Sequence, residues 1–195
     1  MHGAIWSKML RVHSSVSQYL HIQRKTKSTL ALGFTLDVYA CRALGWKFLT
    51  CHIGHIGGQP LSDVIFDSSF AKTPGPFPNV SAFHDYFSTD FGLSKDLGVH
   101  PPHEFRHHLP DQDSIVFTHA DLHPSNILVS TGRNSRVVSI VDWHQSGWYP
   151  AYWEYCKARW TSRIGGEWEA EYLPMFLDRH DCYDYFDYFC LCRGV

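Results

Sequence analysis

The stretch Ser114-Ile115-Val116-Phe117-Thr118-His119-Ala120-Asp121-Leu122-His123-Pro124-Ser125-Asn126-Ile127-Leu128-Val129, followed by Val137-Val138-Ser139-Ile140-Val141-Asp142-Trp143, decides how this chain is read. Ile115 to Phe117 reads as a short buried strand, and Ala120 to Ser125 as a polar turn containing Pro124. Ile127 to Val129 is a second strand, Thr131 to Arg136 a Gly/Asn/Ser turn, and Val137 to Val141 a third strand. The last two strands, joined by that turn, predict a β-hairpin. With Ser130 opposite Val137, the antiparallel register puts Asn126 opposite Val141, beside Asp142. Opposed residues in such a ladder lie about 4.5 to 5.5 Å apart. Asp121, five residues before Asn126, enters the same end. Two carboxylates and an amide oxygen thus gather at one edge, all hard oxygen donors of the kind Mg2+ takes.

Such a set suits phosphoryl transfer. An Asp and an Asn hold metal ions against the phosphates, while a second Asp accepts the proton of the attacking hydroxyl. The spacing His119-x-Asp121-x-x-x-x-Asn126 matches the kinase catalytic loop in chemistry and order, and Asp142-Trp143 stands where kinases carry the Asp of Asp-Phe-Gly. A single Asp in a turn is usually a turn-former or cap. The ordered set of three outweighs that reading.

The run Thr118 to Leu128, with Ile140-Val141-Asp142-Trp143, closely resembles the aminoglycoside phosphotransferase family of the protein-kinase-like superfamily. Gly147-Trp148-Tyr149-Pro150-Ala151-Tyr152-Trp153-Glu154 looks like a fungal, uncharacterised branch of it. Gly57-Gly58-Gln59-Pro60-Leu61-Ser62-Asp63, Gly75-Pro76-Phe77 and Phe83-His84-Asp85 resemble that branch too. The resemblance runs from about residue 46 to 178. It implies an α+β fold: a kinase-like C-terminal lobe, mainly helical, with a small β-hairpin carrying the catalytic residues. By the same resemblance Asp121 is the catalytic base, His119 buttresses its loop, Asn126 and Asp142 bind the metal, and Glu154 anchors the helix that follows. Mg2+ and ATP are the implied cofactors, and a small hydroxylated molecule the acceptor.

The family's N-terminal β lobe, with its Gly-rich loop and strand Lys, has no counterpart in the sequence. No Gly-x-Gly-x-x-Gly occurs, and the first acid is Asp37. The chain therefore reads as N-terminally truncated: a poorly matched segment over 1–45, the catalytic domain over 46–178 and an aromatic tail over 179–195. No residue is assigned to nucleotide contacts. The alternative to an active enzyme is an inactive pseudokinase or fragment that acts at most as a binding module. A surface left by the missing lobe would favour association. A third reading, a metal hydrolase, needs His119, His123 or His144 to point together with Asp142.

Composition narrows the classes further. Apolar residues make up 44% of the 195 and aromatics 15%, enough for a core. The formal charge of -2 gives no general reason to bind nucleic acid or a membrane surface. Cys41, Cys51, Cys156, Cys182, Cys190 and Cys192 form no Cys-x-x-Cys pair and read as free thiols. Leu30 to Ile56 is interrupted by Asp37, Arg42 and Lys47, so no membrane span is expected. The expected compartment is cytoplasmic. The acid-free first 36 residues, with Lys8, Arg11, Arg24, Lys25 and Lys27, make a mitochondrial presequence the alternative.

Elsewhere the apolar spacing predicts helices over 4–22, 30–50 and 80–91, and loops over 54–78 and 98–112. Pro150 is placed in the first turn of a helix with Tyr149, Trp153, Cys156 and Trp160 on its aromatic face. Gly57-Gly58 reads as a tight turn. Asp63, Asp85, Asp181, Asp184 and Asp187 read as solvated surface charges, and Trp143, Trp148, Trp153 and Trp160 as packing residues.

Overall fold

In the computed structural model, residues 52–67, 73–89, 103–131 and 136–195 are described. The helices expected over 4–22 and 30–50 lie outside the described residues, as do Cys41 and Cys51. The architecture is α+β, with two small antiparallel sheets and four α-helices among the described residues. The strands are β1 (Gly54–His55), β2 (Ile115–Thr118), β3 (Ile127–Val129), β4 (Val137–Ile140) and β5 (Gly147–Pro150). The helices are α1 (Val80–Thr89), α2 (Trp153–Trp160), α3 (Leu173–Phe176) and α4 (Tyr183–Cys192).

Strands β3 and β4 form the expected hairpin. Ile127 pairs with Ile140 and Leu128 with Ser139, and the Val141 N–H donates to the Asn126 carbonyl at 2.9 Å. The register expected at that end is the one observed. At the turn end it differs by one residue: an irregularity after Leu128 sets Val129 opposite Val137, and the Ser130 N–H bonds to the Arg136 carbonyl. An extra residue on one strand shifts every later pair while leaving earlier ones in place.

The second sheet has the order β1-β5-β2. Here the placement of Pro150 is corrected. Gly147–Pro150 is an extended middle strand, pairing Thr118 with Gly147 and Ile115 with Pro150, and the helix begins only at Trp153. The reason lies at Gly147. A Cβ there would sit 2.8 Å from the Gly54 carbonyl oxygen, so only glycine lets β1 close against β5.

Helix α1 begins where the Asn79 side chain accepts the Ala82 N–H at 2.8 Å. It buries Phe83 and Phe87, four residues apart on one face. Both rings meet Trp153 edge-on, at 5.1 and 5.2 Å between centroids. Tyr149 and Phe66 stack on that indole, and Phe186 of α4 closes it edge-on at 5.0 Å. The C-terminal stretch, expected as a tail, is thus a helix that buries Phe186, Phe189 and Cys190 in the same core. Cys156, Cys182, Cys190 and Cys192 are free. A smaller cluster under the hairpin joins Leu122 and Ile127 to Ala158, Trp168, Tyr172 and Leu173.

Segment 54–78, expected as a loop, carries β1 and two single-turn helices. Gly57 and Gly58, at φ 76° and 72°, make the tight turn that lets the His55 N–H reach the Gln59 carbonyl. No described helix is long and apolar enough to cross a membrane.

Candidate functional site

Leu122 and Ile127 are each 1% exposed, and they pin the loop between them onto the smaller cluster. Their polar neighbours Asp121 and Asn126 are left half-buried at the loop's outer edge. A single helical turn, Pro124–Asn126, links them, with Pro at its start. Its form brings the Asn126 Nδ2 to the Asp121 carbonyl at 2.9 Å and to the Asp121 Oδ2 at 3.1 Å. Both bonds are made by nitrogen, and the Asn126 amide oxygen accepts the Ser125 hydroxyl at 3.4 Å, which leaves it a second lone pair.

His119 is fully buried, and both ring nitrogens go to backbone. Nε2–H donates to the Val141 carbonyl at 2.9 Å, and Nδ1 accepts the Asp121 N–H at 3.3 Å. The Trp143 ring stands edge-on to it at 4.5 Å. Burial holds this imidazole below its usual pKa. The histidine thus ties the loop that carries Asp121 to the strand end that carries Asp142.

Beneath the loop lies Glu154 of α2. Its Oε2 accepts the His119 N–H at 2.6 Å and its Oε1 the Ala120 N–H at 3.1 Å. The expectation that Glu154 anchors its own helix is therefore corrected: it anchors the loop. The loop needs an anchor, because Ala120 sits at φ 61°, in the left-handed region that L residues rarely adopt. Burial pushes the Glu154 carboxyl up to about 7, against the two N–H bonds, which favour its charged form.

Asp142 follows the hairpin at φ 66°. Its Oδ1 accepts the His144 Nδ1–H at 2.7 Å, with both side chains about half exposed. Asp121, Asn126 and Asp142 are therefore brought to one end of the hairpin, through the Asn126–Asp121 bonds and the Asn126–Val141 backbone pair. Two carboxylates and an amide oxygen are a donor set that Mg2+ accepts, and the exposure of Asp142 leaves a path for an ion.

Of the histidines a hydrolase would need, His119 is committed to backbone and His144 does reach Asp142, but among the described residues no three His, Cys, Asp or Glu side chains cluster as a metal site. Asp63 is a further correction. It is buried, and its Oδ1 takes the Lys157 ammonium at 2.6 Å while its Oδ2 accepts the Trp153 indole N–H at 3.0 Å. Asp85 is exposed but paired with the buried Arg106 at 2.8 Å. Sequence reasoning missed Lys157 and Gln145. The available signal was charge: Glu154 and Lys157 sit three apart on a helix flanked by aromatic residues, where only partnered charges can be buried.

Residues 100–188 match the family model described as the phosphotransferase enzyme family. No curated protein and no solved structure matches the chain. The matched stretch contains Asp121, Asn126, Asp142 and Glu154, so the part of the chain similar to kinase-like phosphotransferases is the part that builds this site.

Proposed function

We propose that the chain is a phosphotransferase of the small-molecule kinase type, moving the γ-phosphoryl group of ATP to a hydroxyl of a small metabolite or antibiotic-like acceptor. The observation that carries this reading is the tie between Asp121 and Asn126 beside Asp142, inside a stretch similar to phosphotransferases. Asp121 takes the proton as the hydroxyl oxygen forms its bond to phosphorus, and ADP leaves with the electron pair of the bond that breaks. Asn126 and Asp142 hold Mg2+, which, when bound, neutralises charge on the phosphates. His119 and Glu154 keep Asp121 in place. The free thiols suit a reducing compartment, and we place the protein in the cytoplasm.

A second reading, a binding module that transfers nothing, is favoured by one contact: the His144 imidazole already holds an Asp142 oxygen. Calorimetry with ATP and Mg2+, on the full chain and on Asp142→Asn, tests the proposal. Metal-dependent ATP binding that is lost in the variant supports a working site, after which hydroxylated acceptors are screened for ADP release. A folded chain that binds no ATP rules out the stand-alone enzyme.

A further inference from the structure

Asp142 is a non-glycine residue in left-handed backbone, and such conformations persist only where the surroundings over-determine them. On its upstream side the Val141 N–H and carbonyl are both held, by the Asn126 carbonyl and the His119 ring. Downstream, the turn closes when Ser146 donates its N–H and its hydroxyl to the Trp143 carbonyl, at 3.0 and 2.6 Å. The residue between, Gln145, is 3% exposed and points away from solvent. Its Oε1 accepts the Val64 N–H at 3.0 Å and the Lys157 ammonium at 3.3 Å. Its carbonyl accepts the Tyr149 hydroxyl at 3.2 Å.

Lys157 and Asp63 are both without side-chain exposure. Every Asp63 oxygen is in use: Oδ1 takes Lys157 and the Ile65 N–H, and Oδ2 takes the Trp153 indole. An ion pair enclosed in this way has little room to rearrange, so whatever it grips is held in one place. What it grips, through one amide oxygen, is the turn three residues after Asp142.

We propose that the buried Lys157–Asp63 pair, acting through the Gln145 side chain, is the positioning device that holds Asp142 in its left-handed conformation. What the aimed carboxylate is for rests on the phosphotransferase reading; the conformation does not. Lys157, Asp63 and Gln145 are positioning residues. Helix α2 then serves both halves of the site, Glu154 holding the loop of Asp121 and Lys157, one turn further on, the turn after Asp142.

The test is NMR on the isotopically labelled full chain, reading the one-bond Cα–Hα coupling of Asp142, which distinguishes positive from negative φ. The proposal expects Gln145→Ala to lose the positive-φ value, and Gln145→Glu, which keeps an acceptor for Lys157 and Val64, to retain it. Leu173→Ala, a cavity in the other cluster, should also retain it. An unchanged coupling in Gln145→Ala, or its loss in Leu173→Ala, overturns the proposal. Should Gln145→Ala not fold, hydrogen exchange in the unmodified chain decides. The Val64 and Ser146 amides must exchange as slowly as the core around Trp153, and fast exchange overturns the idea. Titration with Mn2+ alone separates the two readings, since loss of an outer partner of a metal ligand weakens affinity about tenfold or more. If the unmodified chain binds no Mn2+ while Gln145→Ala still loses the coupling, the phosphotransferase reading fails and the positioning role stands.

Discussion

The Asn126 side-chain amide donates to both the carbonyl and the carboxylate of Asp121, at 2.9 and 3.1 Å. One short side chain therefore sets the orientation of the acid five residues before it. Asn126→Ala removes both bonds. Each is worth about 1 kcal/mol at a partly solvated position, so urea unfolding should show a loss of about 1–2 kcal/mol. On the phosphotransferase reading, the affinity for ATP with Mg2+ falls at least about tenfold as well, as measured by calorimetry.

Glu154 supplies a pH dependence whose sign follows from its raised pKa. The folded state holds the proton up to about 7, while the unfolded chain releases it near 4.5. Its contribution is complete below about 4.5 and is lost as pH rises through 7, by about 3 kcal/mol in all. The charged groups facing it are Lys157 on its own helix and Asp63 from the 52–67 segment. Glu154→Gln cannot titrate. Its stability relative to the unmodified chain should therefore improve between pH 4.5 and 7, read by urea unfolding at each pH. Its effect on the loop is separate. An amide nitrogen facing the His119 or Ala120 N–H breaks one of two bonds, and that amide should exchange faster.

His84 acts in the opposite direction. It is fully buried, donating from Nδ1 to Asp111 at 2.8 Å and accepting the Tyr152 hydroxyl at Nε2 at 2.9 Å. Burial lowers its pKa from 6.5 to about 4, with the Asp111 bond and charge working against the shift. The unfolded chain binds the extra proton between these values. Stability present above 6.5 is therefore lost as pH falls toward 4, by about 3 kcal/mol. His84→Gln should remove that acid-side slope. Thermal unfolding followed from pH 7 to 4 checks it.

Gly147 sits where β1 and β5 meet most closely. Gly147→Ala should cost about 1–3 kcal/mol by overpacking against the Gly54 carbonyl. The loss should appear as faster amide exchange at His55, whose segment is the one displaced.

The part of the site that could be read from sequence is the part built from neighbours. Asn126 and Asp142 come to the same end of the hairpin because two strands separated by a short turn pair in a register set by the alternation of their apolar residues. Even there, the irregularity is hidden, since nothing in Val137-Val138-Ser139 announces that Val138 is an extra residue on β4. Pro150 suits the first turn of a helix by its local sequence, yet it ends the strand Gly147–Pro150. That strand's middle place depends on β1 and β2, which reach it from about 90 and 30 residues away along the chain.

Asp63 marks the limit most clearly. In a loop rich in Gly and Pro, an acid reads as solvated, and only a partner 94 residues away makes its burial tolerable. Glu154, likewise, reaches 35 residues back for the N–H groups it binds. The sequence by itself determined the hairpin, the order of Asp121, Asn126 and Asp142, and the type of chemistry their oxygens suit, because strand alternation and turn composition are local. Tertiary structure alone decided what surrounds the strained backbone at Ala120 and Asp142. A buried charge is stable only beside its partner, and the fold, not the local sequence, brings Lys157 to Asp63 and Glu154 to the loop.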